Sequence, residues 1–158
     1  IRDIKLLTFF YYGVNMNLDM LKKMSKEDLP VTDYEHIDQE SFKNQHIKQK
    51  WLDFKADFEL LLIRAKTDHQ QMYRQKWEYY GGKSDAKVYA AKPFDIKVMK
   101  TDLAMYIQSD DEILKLQNKI GYYDSCVDYC KGVIKSIDNR GWDIKNSIEW
   151  KKFEAGMI

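Results

Sequence analysis

Two prolines, two cysteines and seven glycines are few for a chain of 158 residues. So small a supply of turn-formers excludes a sandwich or barrel of many short strands. Two cysteines cannot by themselves supply a disulfide framework or a four-ligand zinc site. No stretch of 18 apolar residues occurs, and 32% of the residues are charged with a mean hydropathy of −0.62, which excludes an integral helical membrane protein. Charge of one sign is missing as well: 26 Lys and Arg stand against 25 Asp and Glu, so the total gives no signal for nucleic acid. Three histidines, His36, His46 and His69, are scattered and form no metal-binding pair with the cysteines. The nucleophile-elbow, zinc-protease and dinucleotide-binding patterns are all absent. Gly82-Lys83-Ser84 has the ending of a phosphate-binding loop, but Trp77 stands where its first glycine is required and a helix precedes it instead of a strand. We therefore expect no catalytic residue, no metal and no cofactor.

What is present is an aromatic content of 14%, too rich for intrinsic disorder, in a chain long enough to bury about two-thirds of its unfolded surface. The charge is also unevenly placed. Residues 64–100 carry nine cations against four acids, a net of +5, whereas the segments on either side are each −2. Tyr73, Trp77, Tyr79, Tyr80, Tyr89 and Phe94 lie among those cations. Cations that attract phosphates, mixed with rings on which bases stack, suit single-stranded nucleic acid. The alternative is a solvated helix face beside packed rings, that is, a helical coiled-coil scaffold without DNA binding.

The hydrophobic pattern predicts an all-α fold. A short helix is expected from Leu18 to Glu27, stopped by Pro30, and a polar loop from Thr32 to Asp38. Ile47, Trp51, Phe54, Phe58, Leu61 and Ala65 recur at spacings of three and four, predicting one helix from about Gln39 to Tyr79, roughly 60 Å long. Asp68 and Gln75 interrupt the stripe. Gly81-Gly82 should end the helix. Residues 83–93 read as an exposed connector and Asp95–Ile107 as a short helix. Ser109-x-x-Glu112 has the form of a capping box, with the acids Asp110 to Glu112 complementing the helix dipole. Beyond it Ile113, Leu116, Ile120, Tyr123, Val127, Cys130, Ile134 and Ile137 hold the same spacing. Asn139-Arg140-Gly141 should close this helix, and a last one should run from Asp143 to Ala155 with Ile144 and Ile148 on one side. Cys126 and Cys130, one turn apart, read as reduced packing thiols, in keeping with a cytoplasmic location. The apolar run in residues 1–15 follows Arg2 and Lys5 in the manner of a secretory signal, but Asp3 interrupts the basic end and no small-x-small cleavage site follows. We read it as a non-native or dispensable extension ahead of a start at Met16, the alternative being a packed N-terminal helix, with residues 16–158 forming one helical domain.

Particular residues carry a family resemblance. Arg140-Gly141-Trp142-Asp143-Ile144-Lys145, then Ile148 and Phe153-Glu154-Ala155-Gly156, resemble the C-terminus of the UvsY family of T-even-like bacteriophages. Tyr79-Tyr80 followed by glycine and preceded by two basic residues, Met99-Lys100-Thr101, and Asp128-Tyr129-Cys130-Lys131-Gly132 match in the same order. The likeness runs from Met16 to Gly156. It implies a non-enzymatic recombination mediator that assembles into a ring-like homo-oligomer and binds single-stranded DNA. It also implies that the protein helps a RecA-like recombinase, UvsX-like, to displace the phage single-strand-binding protein. The DNA-binding region would lie at about 64–100, with Arg74 and Lys76 as the family's basic pair in reversed order and Tyr73, Trp77, Tyr80, Lys83 and Lys87 beside them. Oligomerisation would fall in about 110–156, on Ile120, Val127, Ile134, Ile137, Ile144 and Ile148.

Overall fold

The computed structural model describes Phe10, Tyr11 and residues 14–157, with side chains from Met16 onward. Five helices carry nearly all of the regular structure: α1 (Leu18–Asp28), α2 (Ile37–Tyr80), α3 (Ala86–Ala91), α4 (Leu103–Gln108) and α5 (Asp111–Glu154). The described strands are two-residue pieces, β1 (Phe10–Tyr11) and β2 (Val14–Asn15), paired antiparallel. The all-α expectation holds. Most of residues 1–15 lies outside the described residues, and with it the reading of a dispensable extension. The chain divides into two compact units, one built on Leu60–Tyr123 and one on the residues before and after that span.

In the unit made by the chain's two ends, α1 starts at Asn17, whose side-chain oxygen accepts the Met20 N–H at 2.9 Å. Ile47, Trp51, Phe54 and Phe58 of α2 and Cys126, Val127, Cys130, Val133 and Ile137 of α5 are buried, as the spacing of three and four requires. The two helices run antiparallel here. The Trp51 ring meets the Tyr129 ring at 6.4 Å, and Asn44 donates to the Ile137 carbonyl at 3.2 Å. α1 joins them through its own buried Ser25, whose hydroxyl is 2.6 Å from that of Tyr129, and through Asp28, which accepts from the Trp51 indole at 2.9 Å. Both cysteines are buried and outside any disulfide, and burial, with Cys126 alongside, pushes the Cys130 thiol up to about 12.

The expected break at Asn139–Gly141 does not occur; α5 runs through it without interruption. The reason is tertiary. Arg140 turns inward and is buried, its guanidinium paired with the equally buried Glu40 and donating to the Leu29 carbonyl at 3.0 Å and the Asn44 side chain at 2.9 Å. Gly141 allows this approach, since a Cβ there would stand 3.2 Å from the Asn44 amide nitrogen. Together these contacts offset a helix-propensity cost of about 1 kcal/mol for a mid-helix glycine.

In the Leu60–Tyr123 unit the stripe of α2 passes through Leu62, where Leu61 was expected, and then Ala65. At 3.6 residues per turn the step of four from Phe58 keeps the face better centred. Leu103, Ile107 and Ile113 form the core, with Met72, Tyr73, Tyr80 and Val98 packed against it. The connector holds a helical turn and a half, α3, and the expected helix from Asp95 shrinks to α4 because residues 93–99 are irregular. Ser109 does not cap α5. Its hydroxyl bonds back to the Met105 carbonyl of α4 at 2.8 Å, and Asp110 takes the cap by accepting the Glu112 N–H at 2.9 Å.

The buried Arg140–Glu40 pair generates a stability prediction. Arg140→Leu leaves a carboxylate buried without its partner and should cost about 3–5 kcal/mol, measured by urea denaturation followed by circular dichroism. Glu40→Leu combined with Arg140→Leu removes both charges and should be less destabilised than the Arg140 variant alone. Simple addition of the two single effects would refute the coupling.

Candidate nucleic-acid interface

The basic island maps onto the last turns of α2, α3 and the segment after it, all within the Leu60–Tyr123 unit. α2 stops where Gly82 takes a left-handed φ of +70°. The Lys83 N–H then returns to the Glu78 carbonyl at 2.8 Å and the Gly82 N–H to that of Tyr79 at 3.3 Å, a Schellman closure. A Cβ on Gly81 would meet the Trp77 carbonyl oxygen at 2.7 Å, so the turn is closed to larger residues.

The structure sorts the expected site residues into two groups. Arg74, Lys83 and Lys87 are exposed, with the Arg74 side chain 81% accessible though paired with Glu78 at 3.1 Å. Trp77 is 41% exposed and the Lys83 ammonium lies over its ring, 4.2 Å from the centroid, a cation–π contact on a ring partly open to solvent. These form an exposed surface of three cations and one open ring. Among the described residues no carboxylate lies within 4.0 Å of Lys83, Lys87, Lys92, Lys97 or Lys100.

The other group faces inward. Lys76 is only 7% exposed and pairs with Asp110 at 3.1 Å and with Glu112. Tyr80 donates its hydroxyl to the same Asp110 oxygen at 2.7 Å. Tyr73 packs on the core and beside His69, their rings 6.3 Å apart. Tyr79, Tyr80, Tyr89, Phe94 and Tyr106 pack against one another at 5.0–6.2 Å, mostly edge-to-face or tilted, and the Tyr89 hydroxyl donates to the Tyr79 carbonyl at 2.8 Å. Most of the rings expected to offer stacking platforms are thus one another's neighbours. Periodicity could not separate them from Trp77, because a ring at helical spacing looks the same whether its face meets solvent or another ring.

Burial and hydrogen bonding tune the group around Asp110. For Lys76, burial opposes the charge, yet the bonds to Glu112 and Asp110 hold the ammonium above its ordinary 10.5. Burial likewise opposes the Asp110 charge, but the bonds from Tyr80 and Lys76 and the Glu112 N–H bring it below 3.8. Burial, then the Asp110 hydrogen bond and charge, push the Tyr80 phenol well above 10.0. Beside this group, an open cleft of about 390 Å³ takes in Lys76, Lys83, Lys92 and Glu112. Lys92 and Glu112 were missed from sequence, Glu112 because an acid in a first helical turn already has a sufficient role there. Among the described residues no group of three or more His, Cys, Asp or Glu could hold a metal ion. No described helix is long and apolar enough to cross a membrane.

The expected oligomerisation stripe divides in the same way. Val127, Ile137 and Ile144 are buried within the chain itself, leaving no surface for a second copy. Ile120, Ile134 and Ile148 are half-buried. Toward the end of α5 it is Trp142, Trp150 and Phe153, at 63%, 62% and 61%, that stand in solvent.

Comparisons of the sequence and of the fold with known proteins agree with one another. The profile of the family described as "Recombination, repair and ssDNA binding protein UvsY" matches residues 24–157. The chain is 26% identical over 141 residues to the recombination protein uvsY of Enterobacteria phage T4, covering 89% of this chain and 99% of that protein. Crystal structures of the bacteriophage T4 recombination mediator protein UvsY superpose with TM-scores of 0.78 (lattice type II) and 0.76 (lattice type I). Both are 22% identical to this chain and cover 89% and 85% of it, and 99% and 98% of their own length.

The Asp110 network has a defined pH window. Asp110 is more acidic folded than unfolded, so its contribution is present above 3.8 and lost as pH falls through its lowered value. Tyr80 and Lys76 hold their protons more tightly when folded, so their contributions are lost as pH rises beyond 10.0 and 10.5. In a near-ultraviolet titration, Tyr80→Phe should remove a phenol that ionises late, and Asp110→Asn should move that phenol back toward its ordinary value. An unchanged titration curve in Tyr80→Phe would contradict the network.

Proposed function

The chain belongs to the UvsY family of recombination, repair and single-stranded-DNA-binding proteins, and on that premise we propose that it is a non-catalytic recombination mediator. It binds single-stranded DNA and promotes loading of a RecA-like, UvsX-like recombinase onto strands covered by the phage single-strand-binding protein, in the host cytoplasm. The observation that carries this reading is the family match over residues 24–157, together with the exposed cations and indole at the end of α2.

Arg74, Lys83, Lys87 and Lys92 supply phosphate contacts and Trp77 a stacking face. Tyr73 and Tyr80 act from behind, holding the end of α2 in place through the core and through Asp110. One such surface offers few contacts and binds weakly. Several copies in a ring make each further contact intramolecular, so avidity rises by about two to four orders of magnitude without a new type of contact. In this reading the DNA-binding region spans about 64–100 and assembly uses about 110–156. There Trp142, Trp150 and Phe153 offer a partner more surface than the buried isoleucines do. The rival reading, a scaffold without DNA binding, has the same exposed lysines but no use for the indole beside Lys83.

Anisotropy of a labelled oligo(dT) separates the two. Trp77→Ala should weaken binding by about 1–3 kcal/mol, the value of one stacked base. Replacing Arg74, Lys83 and Lys87 by alanine should flatten the slope of log K against log salt by about 0.7 for each phosphate that is no longer neutralised. Equal affinity for wild type and both variants would favour the scaffold. Loading is read from recombinase ATPase on strands pre-coated with single-strand-binding protein, which the wild type should stimulate and Trp77→Ala should stimulate less.

Assembly has its own check. Trp150→Ser with Phe153→Ser removes exposed apolar surface only, so helicity should stay the same while the mass in solution falls and oligo(dT) binding weakens. A variant that keeps the wild-type mass would exclude this end of α5 from the interface.

A further inference from the structure

Lys76 is the one cation of the basic island that the fold buries. It is still not sealed off, because it reaches the cleft that Lys83 and Lys92 also line, with Met72 and Val88 as its apolar wall. The two carboxylates on Lys76 are differently placed. Asp110 has a side chain only 5% exposed, and both its oxygens are engaged: one by the Glu112 N–H, the other by Tyr80 and Lys76. The Glu112 side chain is 53% exposed, and Lys76 is the cation it meets. Glu112 also sits in the first turn of α5, where the helix dipole favours a carboxylate whether or not Lys76 holds it.

We propose that Glu112 holds the place of a DNA phosphate on Lys76, and that a strand entering the cleft exchanges one of its phosphates for this carboxylate. The inference rests on the single-stranded-DNA reading above. The exchange swaps one anion for another on the same ammonium, so no buried charge is left without a partner. Asp110 keeps Lys76 in position throughout, and the displaced Glu112 returns to water at an already exposed position. Until displaced, Glu112 repels approaching phosphates. The site therefore rewards a strand flexible enough to bring a nucleotide into the cleft. Lys83 completes the arrangement, since it touches both the cleft and the Trp77 ring, placing a stacked base next to the incoming phosphate.

The test is a double-mutant cycle on the full chain with oligo(dT) as the probe. Glu112→Gln should tighten binding about two- to five-fold, the effect of one charge pair at a partly exposed site. The gain should vanish when Lys76→Met is added and persist when Arg74→Ala is added instead. Should Lys76→Met fail to fold by circular dichroism, lysine acylation read by mass spectrometry decides. In Glu112→Gln, Lys76 should become more reactive than in wild type and be protected again by oligo(dT). A gain that survives Lys76→Met, no gain at all, or no protection of Lys76 by oligo(dT) overturns the proposal while leaving DNA binding intact. Failure of the wild type to bind oligo(dT) defeats the DNA-binding reading, and this inference with it.

Discussion

Removal of one apolar seam on each of two 44-residue helices from water is the constraint from which the rest follows. Trp51, Phe54 and Phe58 on α2 and Cys126, Cys130 and Ile137 on α5 are wholly or almost wholly buried. At about 1.5–3 kcal/mol for a fully buried large side chain, such a seam outweighs the modest propensity costs along α5. Three glycines lie within that helix, yet it runs unbroken because its inner face is occupied on both sides of each. The outer faces are left free to be charged.

The two cations that enter a seam, Arg140 and Lys76, come with partners already in place. Arg140 brings Glu40, Asn44 and the Leu29 carbonyl, tying the loop after α1 to both long helices. Lys76 brings Asp110, and Asp110 in turn caps α5 and accepts from Tyr80. A cation in a seam thus binds segments that lie far apart in the chain. It does so at a desolvation cost repaid only while every partner is present. The same dependence gives the end of α2 its fixed geometry, and Trp77 and Lys83 project from that fixed end.

The division of labour among the cations has a functional reading. Exposed lysines without carboxylate neighbours can meet any polyanion, whereas a cation already holding carboxylates responds only to an anion that replaces one of them. A single-strand binder gains from both: the first kind supplies affinity that falls with salt, and the second supplies a geometric condition on what is bound. The aromatic cluster of Tyr79, Tyr80, Tyr89 and Phe94 belongs to neither. It packs the turn that follows α2, and Tyr89 adds a second hydrogen bond to the Tyr79 carbonyl, which also accepts the Gly82 N–H at the helix end.

Periodicity and end signals are local, and they were legible in the chain itself. The all-α class, the start of α1, the span of α2 to within two residues, its stop at Gly82, and the concentration of cations near that stop all follow from neighbours within a turn or two. The family resemblance was also carried by short contiguous runs. What the tertiary structure decided involves partners 30 to 111 residues apart. Asp110 rather than Ser109 caps α5 because Lys76 and Tyr80 hold that carboxylate in place. α5 passes through Gly141 because Glu40 and Asn44 receive Arg140. Lys76 turns inward while Arg74, two residues earlier, turns out, and one tryptophan stays open among packed tyrosines. A helix defines a face but not what that face will meet, so the residues could be named from their spacing, while their roles depended on what folding brought opposite them.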